Sequence, residues 1–580
     1  MSRRAPRAQG LRSPSRRAAR AAGTPRGAAV VAGLLALALV LLGPPGGDAA
    51  AHLYQTQLWR EHGWQLWDNL WYAGRYSLVN YSLLYFPLSA LVGTVTVVAA
   101  SAALAAWAFA RLVTARWPGF ARGPVAAFAV LVCLGVVAGT YPFLMGLALA
   151  LWALVLLDRG RRAGSAALCL VTTLAHPLAM VFLAIVLAGV VAVERRRLRE
   201  PAVQAYALAV VAVLGLQLLL VRAFASDGAH YPFRPETALA ITAFCIAGLL
   251  LTRGVRDMLA LRAVFVAYGL VAAGAFTMSS PLGGNVERLL LLMGVPLLLL
   301  PLAARGFRPR GVAVACLAGA LLWQSWPAVA GWRTASEARA PSEEYWYPVI
   351  AFLERHHDPG HRVEVVATAD NWEAYHLARR GIPLARGWFR QDDFPGNAAL
   401  YEHLTPARYR AWLRRVAVRY VLLPDDPLEY SSRAEAALLR RGDVLPVVAR
   451  LGGWTVYELP DATPIVTPTA GARVVRLTSD RIVLRVTRPG RYRLSLRYTP
   501  YMSVRGGGEA ACISPARPWG TVLRVARPGT VVLRFDVRLG RMVDTVFGRP
   551  AACGRAPEPV PGAALAAAVG GAGSAGAPAP

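Results

Sequence analysis

The feature that most constrains this chain is a series of apolar runs filling residues 28–328, each bounded by arginines or turn residues, that then stops. A bilayer offers no water to backbone N–H and C=O groups, so such runs must become helices of roughly 20 residues, shorter where neighbours cover them. Breaking them at turns and charges predicts about eleven spans: 28–43, 92–113, 123–139, 143–157, 164–175, 177–193, 202–222, 237–252, 263–278, 288–304 and 311–328. Thr140-Tyr141-Pro142 and His176-Pro177 split runs that would otherwise be overlong. The second split is forced by charge. Arg159, Arg161 and Arg162 precede residue 164 and Arg195 to Arg197 follow residue 193, so both ends belong on the cytoplasmic side.

The formal charge of +30 invites a nucleic-acid reading, which the distribution rejects. The basic residues, all arginine, gather in the tail 1–27 and in short connections between apolar runs, the positive-inside pattern, not on one folded face. Applied throughout, the rule predicts a multi-pass plasma-membrane protein with a cytoplasmic N-terminus. The loops 44–91, 140–142, 223–236 and 279–287, and everything after 328, fall outside. An alternative for the start is a cleavable signal peptide ending at Ala49-Ala50-Ala51, which would remove Asp48.

After the helical bundle the pattern changes. Residues 343–465 alternate short amphipathic helices with short strands, predicting an extracytoplasmic α/β domain. Residues 472–548 alternate β-branched and basic residues between Arg-Pro-Gly turns at 488–490 and 527–529, predicting a small β-sandwich. The Gly/Ala/Pro-rich tail 555–580 reads as disordered. Cys133, Cys169, Cys245 and Cys316 lie in apolar runs and read as small buried hydrophobes. Cys512 and Cys553 could pair if that region is outside the cell. No cysteine or histidine spacing suggests structural zinc.

The outer loop 44–91 carries more chemistry than a connection needs. Asp48 and His52 are spaced i,i+4, which would put them on one face of a helix starting at Ala49, as a general base or metal ligands. The plainer account makes Asp48 a helix N-cap. Trp67, Asp68, Asn69, Trp71 and Arg75 could grip a sugar, rings stacking while carboxylate and amide bond hydroxyls; alternatively the aromatics anchor an interfacial helix. His176 sits at the tip of a short helical hairpin, facing a cavity or satisfied within its turn. Asp227, His230, Tyr231, Arg234 and Glu236 crowd another outer loop, where Glu236 could be a second metal ligand or ordinary solvated charge. Asn285 and Arg288 precede an apolar run, and an arginine entering the membrane from outside suits a lipid phosphate at a helix start. A pair with Asp48, Glu236 or Glu287 is the competing account. Asp370-Asn371-Trp372-Glu373 and the stretch Arg386 to Asp393 are polar-aromatic clusters that could face the membrane cavity or bind glycan, without catalytic spacing.

An acid after the first span, a long interfacial outer loop, short membrane hairpins and an external C-terminal domain together resemble the GT-C superfamily of membrane glycosyltransferases. Related actinobacterial membrane proteins, loosely labelled 6-pyruvoyl-tetrahydropterin-synthase-related, are similar too. The resemblance covers roughly 28–465. It implies a polyprenyl-phosphate-linked sugar donor, a cell-envelope acceptor, an outer-loop acid as catalytic base or ligand of a divalent metal (Mg or Mn), and a basic group on the donor phosphate. Asp48 matches the acid and Arg288 the phosphate contact. The loop departs from the pattern in having no Asp-x-Asp or Asp-Glu pair, since Asp48 is followed by three alanines. Two other readings are a major-facilitator-like transporter, disfavoured by the lack of an internal repeat, and a non-catalytic envelope-assembly protein.

Overall fold

The computed structural model describes residues 23–225, 230–549 and 553. The predicted basic tail therefore lies outside the described residues up to position 22, as do the predicted disordered tail and Asp227. Eight described helices are long and apolar enough to cross a membrane: Pro25–Leu42, Thr94–Arg116, Tyr141–Asp158, Pro201–Ala223, Pro235–Thr252, Leu259–Thr277, Gly283–Ala304 and Arg310–Glu337. Three shorter apolar helices, Arg122–Val137, Arg162–Ala175 and Pro177–Val193, complete a helical membrane bundle.

Local chemistry explains the breaks. Pro25 and Pro177 open helices whose preceding residues cap them: Thr24 Oγ1 accepts from Gly27 N at 3.1 Å and His176 Nδ1 from Leu178 N at 3.2 Å. The first helix buries Ala28, Ala32 and Ala36, one face of small residues, and Gly33 lies against Ala103 of the helix Thr94–Arg116. The last helix runs on to Glu337, past its predicted end at 328.

Cross-links gather the basic connections at one end of the bundle. Arg116 pairs with Asp158 at 2.9 Å, Arg162 with Glu200 at 3.4 Å, and Arg305 donates to Leu251 O at 2.7 Å. The opposite end carries the segment 44–91, which is a folded unit, not an open loop. It forms the helix Ala49–His62, a two-stranded ribbon pairing Trp67–Asp68 with Arg75–Tyr76, and the helix Tyr85–Val92.

Beyond the bundle, Arg362–Val365, Val418–Pro424, Trp454–Glu458 and Val447–Leu451 form one sheet in that spatial order, its first pair parallel and the rest antiparallel. The helices Tyr347–His356, Pro406–Arg415 and Arg433–Arg440 accompany it. Two further four-stranded antiparallel sheets cover residues 466–535 and bury Leu484, Leu494, Leu523 and Leu533 between them. Cys512 and Cys553 form a disulfide with Cα atoms 5.5 Å apart.

Candidate active site

A cavity of about 550 Å³ lies between the end of the bundle away from the basic connections and the α/β domain. Its bundle wall includes Asp48, His176, Asn285 and Arg288; the segment 44–91 adds Tyr72, Arg75 and Tyr81; the α/β domain adds Asp370, Asn371, Glu373, Arg386 and Trp388 to Asp393.

Asp48 stands just before the helix Ala49–His62, but its side chain makes no capping hydrogen bond. Its Oδ2 lies 3.7 Å from Arg288 Nη2 instead, with both side chains about one-fifth exposed. Burial raises the Asp48 pKa, opposed by Arg288, a hydrogen bond from Trp388 and the charge of Arg390. Two glycines set the position. The Asp48 amide donates to Ala138 O at 3.2 Å. A Cβ on Gly46 would lie 2.5 Å from Gly139 N, and one on Gly139, at φ +74°, would lie 2.5 Å from Asp48 N. Gly139→Ala is therefore expected to destabilise the protein by about 1–3 kcal/mol and push Asp48 off Arg288, read as a lower thermal midpoint.

Arg288 is the first residue of the helix Arg288–Ala304, with its guanidinium 5.6 Å from the Phe143 ring centre and the Tyr81 side chain alongside. Its Nη1 is buried without a hydrogen-bond partner, as is His176 Nε2 on the same cavity. Of the three acids offered to Arg288, Asp48 is the one brought to it. Glu287 accepts from Trp323 Nε1 at 2.7 Å, and the exposed Glu236 sits 4.0 Å from Arg234, away from the cavity.

Other candidates go elsewhere. His52 does not pair with Asp48: the helix begins at Ala49 as expected, but the Asp48 carboxylate goes to Arg288. The imidazole is caged by Tyr81, Tyr85, Phe86, Tyr141 and Trp388, and burial drives its pKa down to about 3. Asp68 accepts from Tyr54 at 3.1 Å and from Leu70 N at 2.9 Å. Asn69 accepts from Trp67 Nε1 at 2.8 Å and donates to Thr478 O at 3.0 Å, docking the ribbon on the sandwich. Trp71 Nε1 donates to Ala374 O at 3.0 Å, and its ring covers Gly387. These four are buried joints between segments, and none lines the cavity. Arg75 does line it, donating to Asp392 at 2.9 Å.

Asp370, from the polar-aromatic cluster that could face the cavity, is a second carboxylate on its wall. A Cβ on Gly47 would meet its Oδ1 at 3.2 Å, so it borders the residue before Asp48. Burial first, then the charges of Asp48 and Glu429, push its pKa up to about 7. Asp370 and Asn371 both hold left-handed backbone, φ +64° and +55°. Such strain collects at functional sites, and Asp-Asn is the pair of residue types that tolerates it best. Among the described residues no group of three His, Cys, Asp or Glu converges as a metal site. Asp48 and Asp370 bring two carboxylates to the cavity, the number through which Mg is commonly held beside a substrate phosphate, and Glu236 does not join them.

No family model and no curated protein matches this sequence. Among the solved structures to which the chain is similar is the archaeal oligosaccharyltransferase AglB from Archaeoglobus fulgidus in complex with an inhibitory peptide and a dolichol-phosphate. The identity is 14% and the TM-score 0.33, over 69% of this chain and 69% of that one.

Proposed function

We propose that this membrane protein transfers a sugar from a polyprenyl-phosphate donor to a cell-envelope acceptor at the extracytoplasmic face. One observation carries the reading: Asp48 and Arg288, remote in sequence, meet 3.7 Å apart on a cavity at the boundary between an apolar bundle and a polar domain. The acceptor oxygen would attack the anomeric carbon while its bond to the phosphate oxygen breaks. Asp48 takes the hydroxyl proton, and the phosphate leaves with the electron pair toward Arg288. His176 Nε2 and Asn285 lie on the same wall to bond phosphate oxygens, and the Trp388 and Tyr72 rings offer faces to a sugar. Leu178, Val181, Val221 and Leu282 make an apolar side suited to the first units of a prenyl chain. The Cys512–Cys553 bond suits an oxidising compartment, and the basic connections at the far end suit a cytoplasmic face.

Mg or Mn is not needed for these steps, so turnover is expected to persist in EDTA. Loss on chelation with recovery on Mn or Mg would instead bring Asp48 and Asp370 in as ligands. The test of the reading is purified protein with polyprenyl-phosphate sugars and envelope glycan acceptors, wild type against Arg288→Gln. A fall in kcat of about 10²–10³-fold is expected, since the phosphate gains charge as the bond breaks. Equal rates in the two proteins would remove Arg288 from the phosphate site.

A further inference from the structure

The outer surface of the sandwich is built against its own electrostatics. In the sheet ordered 502–505, 529–535, 481–486 and 472–477, Arg473 stands directly opposite Arg485, and Arg481 directly opposite Arg534. Between those rows, Arg476 faces Val483 and Arg505 faces Val532, so all six arginines share one exposed face. Like charges directly opposite on a sheet are destabilising. Among the described residues, one of the six has an acidic partner, Arg481 with Asp480 at 2.8 Å. The second sheet repeats the device: Arg491 stands opposite Arg524 on its exposed face. A sandwich needs neither pairing to fold, because its core comes from the alternate residues.

The geometry points to the Arg473/Arg485/Arg534 face as a docking surface for an anionic glycan, a sugar polymer carrying phosphate, sulfate or carboxylate groups. Arginine's planar fork suits such oxyanions, and arginines set at three levels over four strands about 4.8 Å apart suit an extended chain better than a single small ion. The face carries no exposed aromatic ring, so it lacks the stacking platform of a single-stranded nucleic-acid site. An apolar helix face suited to a lipid surface lies elsewhere. The helix Leu539–Val546, with Phe547 beyond it, exposes Leu539, Val543 and Phe547 at one helical spacing, and Val546 O accepts from Arg222 at the end of Pro201–Ala223.

The test uses the full chain in phosphatidylcholine nanodiscs, with fluorescent dextran sulfate and uncharged dextran as probes. Arg473→Gln, Arg485→Gln and Arg534→Gln are combined, which removes one member or both of each repulsive pair. Salt-sensitive binding of dextran sulfate, none of dextran, and binding about tenfold weaker in the triple variant are expected. The variant's thermal midpoint should match or exceed that of wild type. Unchanged binding by the variant would overturn the proposal. So would tighter binding of a single-stranded DNA of equal charge, or arginine-dependent capture by phosphatidylglycerol vesicles without dextran sulfate binding. The assay reads no turnover, so its outcome is independent of the glycosyl-transfer reading.

Discussion

Asp48→Asn is expected to lower sugar transfer by about 10²–10⁴-fold, the range over which a positioned general base acts. Asparagine keeps the shape but cannot take the acceptor's proton. The fold should survive, because Asp48 caps nothing and its pairing with Arg288 is loose at 3.7 Å. A change within about 1 kcal/mol is expected in stability. Asp370 then sets the pH profile. Its carboxyl ionises at about 7, raised by burial and next by the charge of Asp48. Coulomb interaction is mutual, so ionising Asp370 makes Asp48 a stronger base, and transfer should climb as pH rises through about 7. Asp370→Asn should flatten that limb. Stability runs the other way. A carboxyl whose pKa is raised on folding binds its proton more tightly in the native state, so its contribution falls as pH rises from about 4 to about 7. Relative to wild type, Asp370→Asn should therefore melt higher at about pH 8, with the gap narrowing near pH 5. A wild-type rate in Asp48→Asn would take the proton acceptor away from this residue.

The helices were legible because bilayer chemistry leaves a chain few choices. Apolar length and arginine position place Pro177–Val193 and Arg288–Ala304 almost residue by residue. Arg288 and Asp48 were legible as an oddly placed cation and an acid after Gly-Gly, each out of keeping with its surroundings. What was not legible follows from long-range packing. Trp67, Asp68 and Asn69 have the composition of a sugar-binding strip, yet Phe535 and Thr478 consume Trp67 and Asn69 from a domain hundreds of residues away, while Tyr54 and Leu70 N take Asp68. The i,i+4 spacing of Asp48 and His52 fails although the helix begins at Ala49 as expected, because Arg288 draws the carboxylate and an aromatic cage takes the imidazole. Asp370 shows no sequence relation to Asp48, since only tertiary folding brings it to Gly47. Its one local sign was the Asp-Asn pair, permissive of a left-handed turn.

Asp392→Ala is expected to be the most destabilising single change, about 3–5 kcal/mol, because it strips a buried charge of its partner. Asp392 holds three parts of the molecule at once. Its Oδ2 accepts from Arg75 of the ribbon at 2.9 Å, while its Oδ1 lies 3.5 Å from Arg497 and its backbone oxygen also accepts from Arg497, which follows the sandwich strand Gly490–Leu494. The side chains of Asp392 and Arg75 are each 3% exposed, so water does not replace what is lost. Arg75 is further fixed 4.0 Å over the Phe389 ring, and its Nη1 already lacks a hydrogen bond. Removing the carboxylate leaves a cation with nowhere to go except the cavity or solvent, and either course loosens the α/β domain from the ribbon. The signature would be a lower thermal midpoint together with faster proteolysis between the domains. Asp392→Leu with Arg75→Met separates fold from function: apolar replacement of a whole buried pair is tolerated, so stability should largely return. Transfer should not return, because Arg75 faces the cavity in which the phosphate would sit. Recovery of both would make Arg75 a joint alone, and recovery of neither would place the clamp's contribution in Arg497.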